Sequence, residues 1–205
     1  MNQKLGMTGS IITGMSVLCF AIFMLIGFDF GSYLVCMFLA IGYLIMAAAF
    51  QSECNAENRA LGNIGLTFSG IYTGIVLLVY FAQTTSVRLE PLSSTALQLL
   101  DYKKFGLFFS YDLLGYGIMA LSTLFIGLAI TASNNRDTAL KRLMCLHGVF
   151  FISCFITPML GIFSPDMTRA DWIGVLVLEV WCAYFLPITL LGYLHFRGKN
   201  KSEIA

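Results

Sequence analysis

Apolar residues fill six stretches of this chain, near 7–28, 30–50, 60–82, 105–132, 140–163 and 171–196, separated by short polar breaks. A helix crosses the hydrocarbon of a bilayer in about 20 apolar residues, and in lipid it satisfies all of its own backbone amides. Each stretch therefore predicts a spanning helix. The fold class is an all-α integral membrane protein, one polytopic domain over 1–205 arranged as a six-helix bundle. Only Lys4 precedes the first stretch closely, and no A-x-A site precedes the second, which favours an uncleaved anchor over a signal peptide.

The breaks carry further structure. Gly27-Phe28-Asp29-Phe30-Gly31-Ser32 tolerates a tight turn, so the first two spans should form an antiparallel hairpin. The longest break runs from about Gln83 to Lys104. Within it a serine cap stands among Leu92, Ala96, Leu99 and Leu100 at helical spacing, which predicts a short amphipathic helix over Pro91 to Asp101, lying across the outer mouth as a lid or a passive spacer.

Orientation follows from basic residues, because the side that retains more of them is usually cytoplasmic. With the N-terminus inside, the inner segments hold Lys4, Arg59, Arg136, Lys141, Arg142, Arg197, Lys199 and Lys201, and the outer ones Arg88, Lys103, Lys104 and Arg169. Both termini are expected in the cytoplasm, with the bundle in the plasma membrane of a prokaryote.

Composition agrees with this reading and removes other classes. The chain is 58% hydrophobic and 11% charged, with a mean hydropathy of +0.82; soluble domains carry about 25% charged residues. A net charge of +1 argues against a nucleic-acid partner, since such domains normally show a basic face. The six cysteines form no C-x-x-C pair, and the chain has no P-loop, no H-E-x-x-H and too few histidines for zinc, so no cofactor or metal is expected.

Two carboxylates lie inside the apolar stretches, Asp112 in the fourth and Glu179 in the sixth. A charge at the centre of a spanning helix costs about 2.5 to 3.5 kcal/mol, which makes a functional site the default reading. Counted from Phe105 and Asp171, both acids sit on the order of 10 to 12 Å below the outer boundary, deep enough for a shared cavity. Tyr111, Tyr116 and Trp181 are close in sequence. A carboxylate beside aromatic faces suits a cationic amine, and a buried carboxylate also suits proton coupling. If the same acids bonded to Tyr, Ser or Thr of neighbouring helices, they would serve packing alone.

His147, in the inner half of the fifth span, is a candidate proton relay or a hydrogen-bonded structural residue. His195 reads as an interfacial residue. The third span presents Gly62, Gly65, Ser69, Gly70, Thr73 and Gly74 at spacings of three and four, a close-packing face on which Ser69, Tyr72 and Thr73 could line a polar cavity. Gly70 and Gly74 form a G-x-x-x-G, read first as an internal seam and second as a contact for a homodimer or another subunit. Pro158 and Pro187 each remove a backbone hydrogen bond within a span.

Thr67-Phe68-Ser69-Gly70 resembles the G-x-S-G of rhomboid intramembrane proteases, with Thr67 in place of the first glycine. In size and helix count the chain is similar to the substrate-binding subunits of energy-coupling-factor vitamin transporters, but Gly14, Ser16 and Ala21 do not reproduce their A-x-x-x-A pattern. The leading expectation is a membrane protein that binds or transports a small cationic or proton-coupled solute through Asp112 and Glu179. A lipid-binding or assembly subunit without transport is the alternative, and an intramembrane hydrolase or transferase stands third.

Overall fold

The computed structural model describes residues 1–163 and 170–202; Arg169, counted above among the outer basic residues, lies outside them. The elements are α1 (Asn2–Leu25), α2 (Asp29–Ser52), α3 (Arg59–Thr84), α4 (Ser86–Leu89), α5 (Ser94–Leu100), a 3-10 turn (Tyr102–Lys104), α6 (Leu107–Ala129), α7 (Asn135–His147), α8 (Phe150–Met159) and α9 (Ala170–Ser202). Six segments are long and apolar enough to cross a membrane, with α7 and α8 sharing one of them.

The spans close into a ring. α1 packs on α2 and α9, α2 on α3, α3 on α6, α6 on α7 and α8, and α7 on α9. Residues that meet along the ring axis are fully buried, among them Tyr43, Tyr72, Met119, Phe185 and Ile188. The outward faces stay apolar and exposed, as at Leu78, Phe81, Ile152 and Leu190, which suits a lipid surround.

Close seams depend on missing side chains. A Cβ on Gly9 would fall 2.5 Å from the backbone nitrogen of Met46, and one on Gly42 would fall 2.7 Å from the Ile12 side chain, so α1 and α2 touch backbone to backbone. Across α3 and α6, Tyr43 Oη donates to Ser122 Oγ at 2.8 Å and Ser122 Oγ donates to the Gly65 carbonyl at 2.7 Å, which ties α2, α6 and α3 together.

The fifth span differs from the expected unbroken 140–163. It starts at Asn135, where Asn134 accepts from the amides of Arg136 and Asp137 at 2.9 and 3.0 Å and caps the helix. It breaks at Gly148–Val149, where the bonds shorten to the i→i+3 pattern, as in Val149 N to the Leu146 carbonyl at 3.0 Å. The break lies ahead of Pro158, where Gly148 presses on Leu124 of α6: a Cβ there would lie 2.9 Å from that of Leu124. A short helix does form within Pro91 to Asp101, as α5, with Ser93 accepting from Ala96 N at 3.3 Å.

Candidate functional site

Asp112 lies five residues into α6 and is 3% exposed. Tyr80 of α3 and Tyr102 of the 3-10 turn direct their hydroxyls at its carboxyl, while Oδ1 keeps no hydrogen-bond partner among the described residues. The surrounding rings form a box. Tyr33 stacks on Tyr80 with centroids 5.6 Å apart, Tyr102 meets Tyr33 at 6.0 Å and Tyr80 at 6.2 Å, and Phe109 closes on Tyr102 at 5.1 Å. No ion pair reaches Asp112 among the described residues. Burial and the neighbouring Asp112 hold the Tyr102 phenol well above its usual range, so that it remains a hydrogen-bond donor.

One buried amide sets the position of Tyr102. Gln83, at 3% exposure, donates from Nε2 to the Leu100 carbonyl at 2.7 Å, and its Oε1 accepts from Tyr102 N at 3.1 Å. Lys103 pairs with Asp29 across the same end of the bundle, and Arg88 lies 4.8 Å above the Phe30 ring. The connection between α3 and α6 is therefore stapled over the acid by side chains of α2 and α3.

The polar groups continue inward through Tyr116. Its hydroxyl donates to Cys36 Sγ at 3.6 Å, and its ring lies 5.6 Å from Tyr72 and 5.4 Å from Trp181. Trp181 Nε1 donates to His147 Nε2 at 3.0 Å. Indole only donates, so Nε2 accepts and the ring proton sits on Nδ1, which donates to Thr123 Oγ1 at 2.7 Å. Thr123 in turn donates to the Ala120 carbonyl at 2.8 Å. Every polar atom of a neutral His147 is thereby used, an arrangement that fixes its tautomer and fits the structural reading of this residue.

The remaining expected site residues divide. Tyr72 and Ser69 are fully buried, and neither Tyr72 Oη nor Ser69 Oγ has a hydrogen-bond partner among the described residues; Thr73 donates to the Ser69 carbonyl at 2.8 Å. Ser69 thus has no base beside it, and both imidazoles are engaged elsewhere. Tyr111 is 45% exposed and rests on Phe108, on a different face from Asp112. Glu179 is half-buried on α9, with Oε1 unpartnered among the described residues. Counted from the start of its apolar span, each acid lies five residues in, Asp112 after Leu107 and Glu179 after Gly174. No hydrogen bond or ion pair joins the two acids among the described residues. Gly70 and Gly74 face outward, with nothing within 4 Å of a Cβ at either; the inner seam of α3 runs through Gly62 and Gly65 instead.

A second polar cluster lies at the opposite end of the ring, where α2 and α9 end and α7 begins. His195 Nδ1 bonds Asp137 Oδ1 at 2.7 Å, His195 Nε2 bonds Glu53 Oε2 at 2.8 Å, and Lys199 donates to the same Glu53 oxygen at 2.7 Å. Asp137 Oδ2 accepts from Ser133 Oγ at 2.7 Å and Asn134 Nδ2 at 2.8 Å. A ring that meets an ionised carboxylate at each nitrogen carries both protons. Burial works against the charge on Glu53, but the bonds from His195 and Lys199 outweigh it and hold its carboxyl below the usual range. Beside this cluster opens a cavity of about 590 Å³ lined by Ser133, Arg136, Asp137, His195 and Lys199 among others.

No family model, curated protein or solved structure matches this chain. Function must therefore be argued from the two clusters. The first places an unpaired acid among hydroxyls and aromatic faces within the membrane, where it can hold a proton or a cation. The second joins three helices by charge-assisted bonds and leaves a polar cavity beside them. Sequence reasoning missed this second cluster and read His195 as merely interfacial, because its partners stand 58 and 142 residues away. A signal was present: Glu53 ends the second span, Asp137 opens the fifth and His195 ends the sixth, so all three lie at one membrane level.

Proposed function

We propose that this multi-pass membrane protein binds or transports a small cationic or proton-coupled solute, with Asp112 as the charged contact and Tyr33, Tyr80, Tyr102 and Tyr116 as its surroundings. One observation carries the reading: among the described residues the buried Asp112 carboxyl has one oxygen unpartnered and no cationic side chain paired to it. A carboxylate left so in a membrane is costly, and a proton or a bound cation relieves the cost. Tyrosine faces add about 0.5 to 2 kcal/mol per cation contact as water is excluded. Glu179 supplies a second carboxylate on α9 for the same solute, and the face that bears both termini is cytoplasmic.

Proteoliposomes loaded with a pH-sensitive dye test this. Addition of tetramethylammonium or a small primary amine should move protons or the amine across the membrane, and Asp112→Asn should abolish the movement while the protein still folds. Equal flux in wild type, Asp112→Asn and protein-free vesicles would reject the reading.

The outward Gly70 and Gly74 favour a second reading, an assembly subunit that packs this bare strip against another helix. Crosslinking from Cys introduced at Gly70, with no flux in the liposome assay, would favour it.

A further inference from the structure

The second cluster leaves a cavity whose wall is charge-balanced except at one residue. The Glu53 and Asp137 carboxylates are matched by His195 and Lys199 through the three contacts between them. Asp137 has no oxygen to spare, since Oδ1 holds His195 and Oδ2 holds Ser133 and Asn134. Asn134 is also spent, with Oδ1 accepting from Arg136 N and Asp137 N and Nδ2 donating to Asp137. The helix-capping amides of α7 are therefore occupied by the protein itself. What the wall still offers is the Arg136 guanidinium, which bonds no group among the described residues, and the exposed Asn135 amide.

Among the lining residues the free charge is the Arg136 cation, while the unpartnered Glu53 Oε1 lies outside the lining, which disfavours a cationic amine and favours a ligand with several acceptor oxygens. Arginine's planar fork matches phosphate oxygens in pairs. The volume of about 590 Å³ falls within the range of about 300 to 1,000 Å³ that organic ligands occupy, so the space suits a phosphate ester better than a bare ion. Leu194 and Gly198 give it an apolar flank. Its walls, His195 and Asp137, have side chains only 3% exposed and are locked by their mutual bond, so the site is built before a ligand arrives.

We infer that this cavity is a binding site for a phosphate ester, gripped by Arg136 on the wall formed by the Asp137–His195 pair. It stands apart from Asp112, at the other end of the bundle, and does not depend on the reading of that site. The α9 span ends at Lys199, which sets the cavity at the level of lipid headgroups. A phospholipid headgroup and a soluble phosphate ester present the same chemistry there.

The full-length protein in nanodiscs separates the two sources. One arm measures lipid retained from phosphatidic acid against phosphatidylcholine by native mass spectrometry, and the other measures binding of glycerol 3-phosphate by calorimetry in phosphatidylcholine discs. Arg136→Gln leaves the buried cluster intact, and Arg142→Gln removes an exposed charge from the same helix outside the cavity. Selective binding in either arm, weakened at least about tenfold by Arg136→Gln and little by Arg142→Gln, supports the site and names its source. Absence of binding in both arms overturns it. So does an equal loss in the two variants, which would mean general attraction to a basic face.

Discussion

Replacement of His195 by alanine tests whether the cluster at the ends of α2, α7 and α9 holds the ring together. The side chain is 3% exposed and bridges Asp137 at 2.7 Å and Glu53 at 2.8 Å. Hydrogen bonds to charged groups contribute about 1.5 to 3 kcal/mol each, so two of them give roughly 3 to 6 kcal/mol. Both acids keep other partners, Ser133 and Asn134 on one and Lys199 on the other, and the adjoining cavity lets water reach them. The expected loss therefore lies at the lower end, about 3 kcal/mol. Reversible unfolding in mixed micelles should show this as a midpoint about 6 to 12 °C lower, at about 2 to 4 °C per kcal/mol for a chain of this size. A double-mutant cycle with Asp137→Asn should return a coupling of about 1 to 3 kcal/mol. A loss below about 1 kcal/mol, or strictly additive variants, would refute the claim that these bonds tie three helices.

The lowered pKa of Glu53 has a definite sign: its contribution to stability is present above the unfolded value near 4.3 and is lost as pH falls through the folded value, so Glu53→Gln should flatten the acid limb of a stability profile. The same curve in wild type and variant would remove Glu53 from the account. Gly9→Leu should prevent folding, because its Cβ meets the α2 backbone, whereas Gly70→Leu on the outward face should leave the monomer within about 0.5 kcal/mol of wild type; the reverse ranking would contradict the seam. Reporter fusions after Ala205 and near Pro91 should place the C-terminus inside and the α3–α6 connection outside, and the opposite pattern would invert the orientation.

The spans were legible because about 20 apolar residues in a row have few alternatives to a membrane helix. The break at Gly148 was not, since it answers to the approach of Leu124 on another helix, whereas Pro158, the visible helix breaker, lies inside α8. Asp112 stood out as a charge among apolar neighbours, yet its partners Tyr33, Tyr80 and Tyr102 lie on three other elements and share no spacing with it. Its aromatic surroundings were expected from Tyr111 and Tyr116. Only Tyr116 faces inward, because residues adjacent on a helix point about 100° apart while those four apart share a face. Gly70 and Gly74 had the spacing of a seam, but period alone cannot say which of two small-residue faces of α3 turns inward. His195 showed no local pattern, as its meaning depends on acids in two other spans.

Calorimetric titration of tetramethylammonium into the purified protein, wild type beside Asp112→Asn and Tyr102→Phe, tests the central claim most directly. Saturable binding to wild type is expected, with no measurable heat in Asp112→Asn and an affinity lowered severalfold in Tyr102→Phe, which keeps the ring face but loses the hydroxyl that positions the carboxyl. Absence of binding to wild type, or binding that is unchanged in Asp112→Asn, would contradict a cation site at Asp112.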